Sequence, residues 1–309
     1  MEGNSVHAYK LINSGGTVTY VKFRWVPKEG VRNLTRQEAQ KIQGMDFNHA
    51  TRDLNDAIMR KDFPVWTLQF QRMSISELDE QEFNPLDATK IWPEDRFPFT
   101  SIGKLTLNEI PGNFHMGSEQ SAFDPGNFPP GRIEPSEDKL LQGRLISYHE
   151  TQVHRHGSSG FQTLDINRAR SPVNNYNQDG VMIQDHAWKG SLNYEPSLGQ
   201  SGLEGTRYFE DKSYLYSQRR FCGETVQESI SKTLNFKQAG DLYNSFMKQD
   251  QDNLIGNIAA DLGMVNSIQI RNTMCSHFYR ADMTYGKRVC KAVSCNLSRC
   301  VKMAKALED

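Results

Sequence analysis

The stretch from Asp138 to Gly157, DKLLQGRLISYHETQVHRHG, gathers the side chains whose types and spacing carry the most specific chemistry in the chain. Leu141, Arg144 and Tyr148 stand at i, i+3 and i+7, which puts them on one face of a helix. A guanidinium then lies one turn before a phenol. An ordinary phenol, with a pKa of about 10, is a poor metal ligand at neutral pH. A neighbouring cation favours the phenolate, a hard anionic oxygen donor suited to ferric iron. The same spacing also describes an amphipathic helix end with a hydrogen-bonded tyrosine and a solvated arginine, and spacing alone leaves both readings open. His149, His154 and His156 follow at steps of five and two, so they do not share a helix face as a metal triad would. They are expected to be polar partners of nearby carboxylates. His7, His49, His115, His186 and His277 are scattered and read as structural.

The elements that must position this helix begin with a hairpin. Val6 to Ile12 and Thr17 to Val26 are β-rich runs split by Asn13-Ser14-Gly15-Gly16. In the second run Thr17, Thr19, Val21, Phe23 and Trp25 are expected to face the core, with Val18, Tyr20, Lys22, Arg24 and Val26 opposite. Thr35-Arg-Gln-Glu38 is a capping box opening a helix that stops near Gly44. A second helix is predicted over His49 to Arg60, a strand through Trp66, Leu68 and Phe70, and another strand over Ile102 to Glu109. Strands with helices inserted between them, rather than a regular βαβ alternation, point to half of an antiparallel β-barrel with helical insertions.

From Pro111 to about Ser217 the chain is rich in Pro, Gly, Asn and Ser, yet it carries Phe114, Phe123, Phe128, Tyr148, Phe161, Tyr176, Trp188 and Tyr194. That combination predicts an extended segment wrapping over a core, with the Tyr148 helix inside it. After Ile230 the pattern turns helical. Leu254, Ile255, Ile258, Ala259 and Leu262 form one stripe, closed by Gly263, and Val289, Val293, Leu297, Val301 and Ala304 form another. Lys287, Arg288, Lys291, Arg299, Lys302 and Lys305 make a solvated basic face. Of the five cysteines, Cys290, Cys295 and Cys300 are spaced by five. Each such step turns a helix by about 500°, so these three are expected not to converge on one point, and all five, Cys222 and Cys275 included, are read as reduced, inert thiols.

At 309 residues with a net charge of −1, the chain carries no overall field to attract nucleic acid or an anionic membrane. It has no run of 18 apolar residues. The start, MEGNSVHAYKLI, does not read as a signal peptide, and the end is not S-K-L, so a cytoplasmic protein, or a peroxisomal one if eukaryotic, is expected. No GxGxxG, P-loop or GxSxG occurs.

The residues around the tyrosine resemble a known segment. R-L-I-S-Y (Arg144 to Tyr148), E-T-Q (Glu150 to Gln152) and then His154-Arg155 look like the proximal haem segment of the monofunctional haem catalases. Glu150 stands where that family usually has Asp, keeping the charge. Other pieces match in order: Thr51 to Leu54 with Ala57-Ile58, Pro64 to Thr67, Asn84 to Pro93, Ala122 to Pro125, Pro129 to Gly131, then Asn175-Tyr176, Asp179-Gly180 and Met182. Arg132 looks like a one-residue insertion.

The resemblance implies haem b, with Tyr148 as the axial ligand of the iron, the arrangement known for catalase. It implies that Arg144 supports the phenolate, that Gln152, Arg155, Phe123 and Leu140 lie against the macrocycle, and that the histidines after Tyr148 serve propionates or carboxylates. On its own residues, Phe123 would be read as an ordinary core phenylalanine. The implied reaction converts hydrogen peroxide to water and oxygen, and the implied assembly is a homotetramer. Ile91-Trp92-Pro93 matches part of a surface NADPH site, with Glu94 opposing a phosphate-rich ligand. The expected layout is a partial barrel over 1–110, a wrapping segment with the proximal helix over 111–228 and a helical domain over 229–309. Met1 aligns inside the family chain, and no residue here matches the distal histidine and asparagine that do the acid–base work. A truncated chain with weak or no turnover alone is therefore expected. The alternative is a non-catalytic haem-binding or subunit-partner protein.

Overall fold

A computed structural model describes residues 1–128, 132–170, 223, 227 and 231–307. Among them, strands β1 (Gly3–Asn4), β2 (Tyr9–Ile12), β3 (Val18–Pro27), β4 (Val65–Ser74), β5 (Thr100–Thr106) and β6 (Ile133–Pro135) form one sheet in the order β5-β4-β3-β2-β6, with β1 also beside β3. Every pairing is antiparallel. The β2–β3 loop is fixed by Asn13, whose side-chain oxygen accepts from the N–H groups of Gly15 and Thr17, both at 2.9 Å. Gly16 supplies the positive φ of 81° that the reversal needs.

Helices α1 (Arg36–Met45) and α2 (His49–Met59) fill the excursion between β3 and β4. The capping box is formed as expected: Glu38 N–H donates to Thr35 Oγ1, and Glu38 Oε2 accepts from Thr35 N–H at 2.8 Å. The strand expected over Ile102 to Glu109 lies earlier, at Thr100–Thr106.

Both faces of β3 carry buried side chains: Val21 of the expected set is 0% exposed, and Val18, Tyr20 and Lys22 of the opposite set are buried too. Val18 and Tyr20 pack with Ala8, Ile12, Met73, Phe83, Trp92 and Phe97, while Phe23 and Trp25 lie half-buried on the other face. The register explains this, because Tyr20 opposes Met73 and Lys22 opposes Gln71, so one face continues across both strands. Lys22 joins the buried side because its ammonium donates to the Lys90 carbonyl at 2.7 Å and lies 5.4 Å from the Trp92 ring. Gln71 is buried for the same reason, donating to the carbonyls of Trp92 and Phe97.

Burial pulls the Lys22 ammonium down to about 8, against the opposing pull of Asp138 and Asp87. Between about pH 8 and 10.5 the unfolded chain then holds a proton that the folded chain has released, so this residue's contribution to stability rises with pH. Denaturant unfolding of the parent and Lys22→Met should show the parent gaining on the variant across that window. A difference independent of pH would contradict the buried ammonium.

The chain closes in helices: α3 (Ile75–Asp79), after β4, α4 (Lys139–His156), then α5 (Lys237–Ser245), α6 (Lys248–Leu262), α7 (Ile268–Ala281), α8 (Met283–Ala292) and α9 (Leu297–Ala304). Tyr243, Ile255, Cys275, Tyr285, Val289, Cys290, Val293 and Cys300 form a second core among the last five. Gly286 and Gly240 allow this packing. A Cβ on Gly286 would strike the Cα and N of Tyr279, and one on Gly240 would strike the Ala281 carbonyl. Gly286→Ala should therefore cost about 1–3 kcal/mol in thermal or denaturant unfolding. Gly256→Ala in α6, with nothing within 4 Å of the added methyl, should be neutral or stabilising by up to ~1 kcal/mol.

The second apolar stripe is not one helix. α8 ends at Ala292, Ser294 turns the chain with φ of 54°, and α9 starts at Leu297. Cys290, Cys295 and Cys300 do not converge as a set, as expected, but the break lets Cys290 and Cys300 meet Cys275. Cys275, Cys290 and Cys300 are all buried, and their Sγ atoms lie within 4.8 Å of one another. The 500° argument assumed a continuous helix and left out Cys275, which arrives from α7. In the predicted basic face, Arg288 is engaged, donating to Tyr243 Oη at 2.7 Å and pairing with Asp252.

Candidate functional site

Helix α4 occupies the stretch that the sequence marked, and it is held at both ends. Asp138 caps its start, Oδ1 accepting from the N–H groups of Leu140 at 2.9 Å and Leu141 at 3.3 Å. The other carboxylate oxygen lies 2.6 Å from Nδ1 of His7, and both side chains are buried. The residue before the cap is tied to the sheet, Glu137 accepting from Tyr20 Oη at 2.7 Å and Lys10 Nζ at 3.2 Å. Gly157 ends the helix with φ of 85°, a left-handed conformation that glycine adopts without strain.

At the far end Gln152 donates to the Phe123 carbonyl at 2.8 Å and accepts from Arg155. Arg155 also donates to the carbonyls of Glu119 and Ser121. The His156 ring nitrogens lie 3.1 Å from the carbonyls of Gln152 and Gln120, and the ring stacks on Phe161. Asn167 locks the same region, accepting from Ala122 N–H and donating to the carbonyls of Gln120 and Phe161.

Between these anchors the helix face opens. Leu141 is 0% exposed and Gln152 7%, but Tyr148, between them on that face, is 37% exposed. The Arg144 guanidinium lies over the Tyr148 ring, 4.9 Å from its centroid. Arg144 also acts on a second phenol: burial pushes Tyr9 up, Arg144 pulls it down and Asp138 raises it further. The Tyr9 ring meets Phe128 edge-on at 5.7 Å. Two apolar side chains matched to the site stand open, Leu140 at 57% and Phe123 at 81% exposure. Phe123 is thus no core phenylalanine, as its residue type alone suggested.

Arg144 and Tyr148 are therefore brought together as the spacing predicted. Gln152 and Arg155 are spent on bracing the helix against the segment before it. His149 approaches Asp124 at 3.7 Å, matching the expected carboxylate partnership. Trp92 is buried in the sheet core, its indole N–H donating to the Pro85 carbonyl at 2.9 Å, so its ring is not presented at a surface NADPH site. Glu94 pairs with Arg24 at 2.9 Å. Sequence reasoning missed Asp138 as the cap and Asn167 as a lock. The Asp138 signal was an Asp directly before the helical run. Tyr176, Trp188, Tyr194, His186, Cys222, Pro129 to Gly131, Asn175-Tyr176, Asp179-Gly180 and Met182 lie outside the described residues.

A phenol with a guanidinium over its ring, partly open to solvent, offers an oxygen donor suited to a ferric centre. The comparisons agree with that chemistry. The family model described as Catalase matches residues 1–201, and the one described as Catalase-related immune-responsive matches 229–293. The chain is 44% identical over 299 residues to a catalase of Vibrio parahaemolyticus, covering 97% of this chain and 57% of that one. It is 42% identical over 309 residues to a catalase of Pseudomonas aeruginosa, covering 100% and 58%. A catalase of Listeria seeligeri is 39% identical over 300 residues, covering 96% and 59%. An antiparallel sheet with inserted helices and a helical C-terminal region, carrying a phenol–guanidinium pair, defines a protein of the haem-catalase class.

The chain belongs to the catalase family. It spans 57–59% of the length of these relatives. Catalases as a family carry haem. Among the described residues, no helix is long and apolar enough to cross a membrane.

Proposed function

We propose that this chain provides the proximal haem side of a catalase, an oxidoreductase that converts hydrogen peroxide to water and oxygen. The observation that carries this reading is the Arg144 guanidinium over the Tyr148 ring, in the uncovered middle of an otherwise buried helix face. Haem b, when bound, supplies the iron at which peroxide is turned over. Tyr148 Oη would hold the iron, with the Arg144 guanidinium lying over its ring. Leu140 and Phe123 cover apolar parts of the macrocycle. Gln152 and Arg155 fix the pitch of α4 so that the phenol is held on one line.

We read the chain as a partial barrel over 1–110, a wrapping segment over 111–228 and a helical domain over 229–309. The start of the second family match at residue 229 supports the last boundary. Strand β6 is lent to the sheet by the wrapping segment. Homotetramers and a reducing, cytosol-like or peroxisomal compartment go with this reading. Free cysteines at Cys275, Cys290, Cys295 and Cys300 support the compartment.

None of the residues assigned here moves protons on the peroxide, and the exposed Tyr148, Phe123 and Leu140 invite a covering surface. A second reading follows from that exposure: a haem-holding or subunit-partner role for the chain alone. Oxygen evolution by the 309-residue chain loaded with haem separates the two. Turnover far below that of the Vibrio parahaemolyticus catalase, with haem retained, is the expected outcome. Failure to retain haem at all would remove the first reading.

A further inference from the structure

The helical C-terminal region holds a constellation unrelated to α4. Three sulfurs, from Cys275 on α7, Cys290 on α8 and Cys300 on α9, meet within 4.8 Å in the buried core. Cys295 packs against the same cluster from the turn joining α8 to α9, half-exposed, and its thiol interacts with that of Cys275. Its N–H donates to the Cys290 carbonyl at 2.9 Å, so the left-handed turn at Ser294 fixes where this fourth sulfur stands. The pattern is Cys290-x4-Cys295-x4-Cys300, with Cys275 added from the preceding helix.

We infer that Cys275, Cys290, Cys295 and Cys300 form a four-thiolate site for a structural zinc ion. Zinc–sulfur bonds of about 2.3 Å in a tetrahedron put the sulfurs roughly 3.8 Å apart, a modest contraction for Cys275, Cys290 and Cys300, while Cys295 Sγ lies outside their 4.8 Å group and has to swing in from its turn. Three ligands are sealed in the core and the fourth borders solvent, which gives the ion a way in. The outer partners are also in place. Cys300 Sγ donates to Asn272 Oδ1 at 3.7 Å in the protonated cluster, and once the thiolate forms the Asn272 amide has to turn its NH2 to the sulfur. Arg271, the neighbouring residue, reaches the Val293 carbonyl beside the Cys295 turn, and its buried Nε lacks a partner among the described residues. A zinc ion with four thiolates carries a net charge of −2, and a buried guanidinium at its margin offsets part of it.

The proton balance is explicit: four thiols release four protons as one zinc ion enters, with no change of oxidation state. Metal binding is therefore expected to weaken steeply as pH falls. It differs from the reading of inert thiols because it requires all four sulfurs to act together.

The test uses the 309-residue chain, purified reduced from zinc-supplemented culture and dialysed. One zinc per chain is expected, released in full by a mercurial reagent. Cobalt(II) exchanged into the site should give strong thiolate-to-cobalt absorption in the near ultraviolet and tetrahedral bands in the visible. Cys300→Ser and Cys275→Ser should lose the ion. Cys295→Ser, which removes the fourth thiolate from the half-exposed turn, should also lose stoichiometric zinc while its far-ultraviolet circular dichroism matches the parent, which guards against loss through misfolding. Substoichiometric zinc in the parent, or cobalt bound without thiolate absorption, overturns the proposal. So does retention of zinc and of the thiolate bands by Cys275→Ser and Cys300→Ser.

Discussion

Tyr148→Phe, loaded with haem, is expected to lack the ferric–phenolate absorption expected of the parent and to hold haem much more weakly. The substitution is narrow. It keeps the ring, and with it the contact to the Arg144 guanidinium 4.9 Å away, and removes only the oxygen. The helix does not depend on that oxygen, because α4 is fixed by Asp138 at its start and by Gln152, Arg155 and His156 at its end. Far-ultraviolet circular dichroism should therefore match the parent, so a spectral change reports the ligand. Arg144→Met is the companion. It should keep the phenolate bands but weaken binding, because the guanidinium that packs over the Tyr148 ring is gone. Identical phenolate bands in parent and Tyr148→Phe would show that iron is held elsewhere.

How much of this was legible in the residues depends on whether the signal was local. The capping box at Thr35 and Glu38, the Asn13 turn and the whole of α4 were readable, because side-chain oxygens, glycines and 3.6-residue periodicity act within a few positions. That the second face of β3 is also buried was missed because Lys22 looked like a solvent residue. What buries it is the Lys90 carbonyl, 68 positions away. The cysteine cluster was missed for the same reason: its geometry comes from the break at Ser294 and the docking of α7, and no single helix contains it. Within the site, the Arg144–Tyr148 pair was visible from its spacing. The roles of Gln152 and Arg155 as braces were not, since their partners are backbone carbonyls 29 to 36 residues earlier.

The His7–Asp138 contact should be the most costly single side-chain interaction to break in the segment that presents Tyr148. Asp138→Ala removes a helix cap worth about 1 kcal/mol. It also strips the buried His7 Nδ1 of its partner, which costs roughly a further 1–3 kcal/mol. His7 Nε2 already lacks a partner among the described residues, so nothing nearby compensates. Denaturant unfolding should show a loss of about 2–4 kcal/mol. Asp138→Asn keeps an oxygen for the Leu140 and Leu141 N–H groups and an amide for the histidine, and should lose less. A double-mutant cycle with His7→Phe separates the two parts: the coupling energy is the ring contact, and what remains in the His7→Phe background is the cap. The consequence for function follows from position. Leu140 and Arg144 lie in the first turns of α4, the turns that fray without a cap, so Asp138→Ala should also weaken haem binding while Tyr148 itself is untouched. Additive effects of the two substitutions on stability would mean that the 2.6 Å contact does not hold the helix to the sheet.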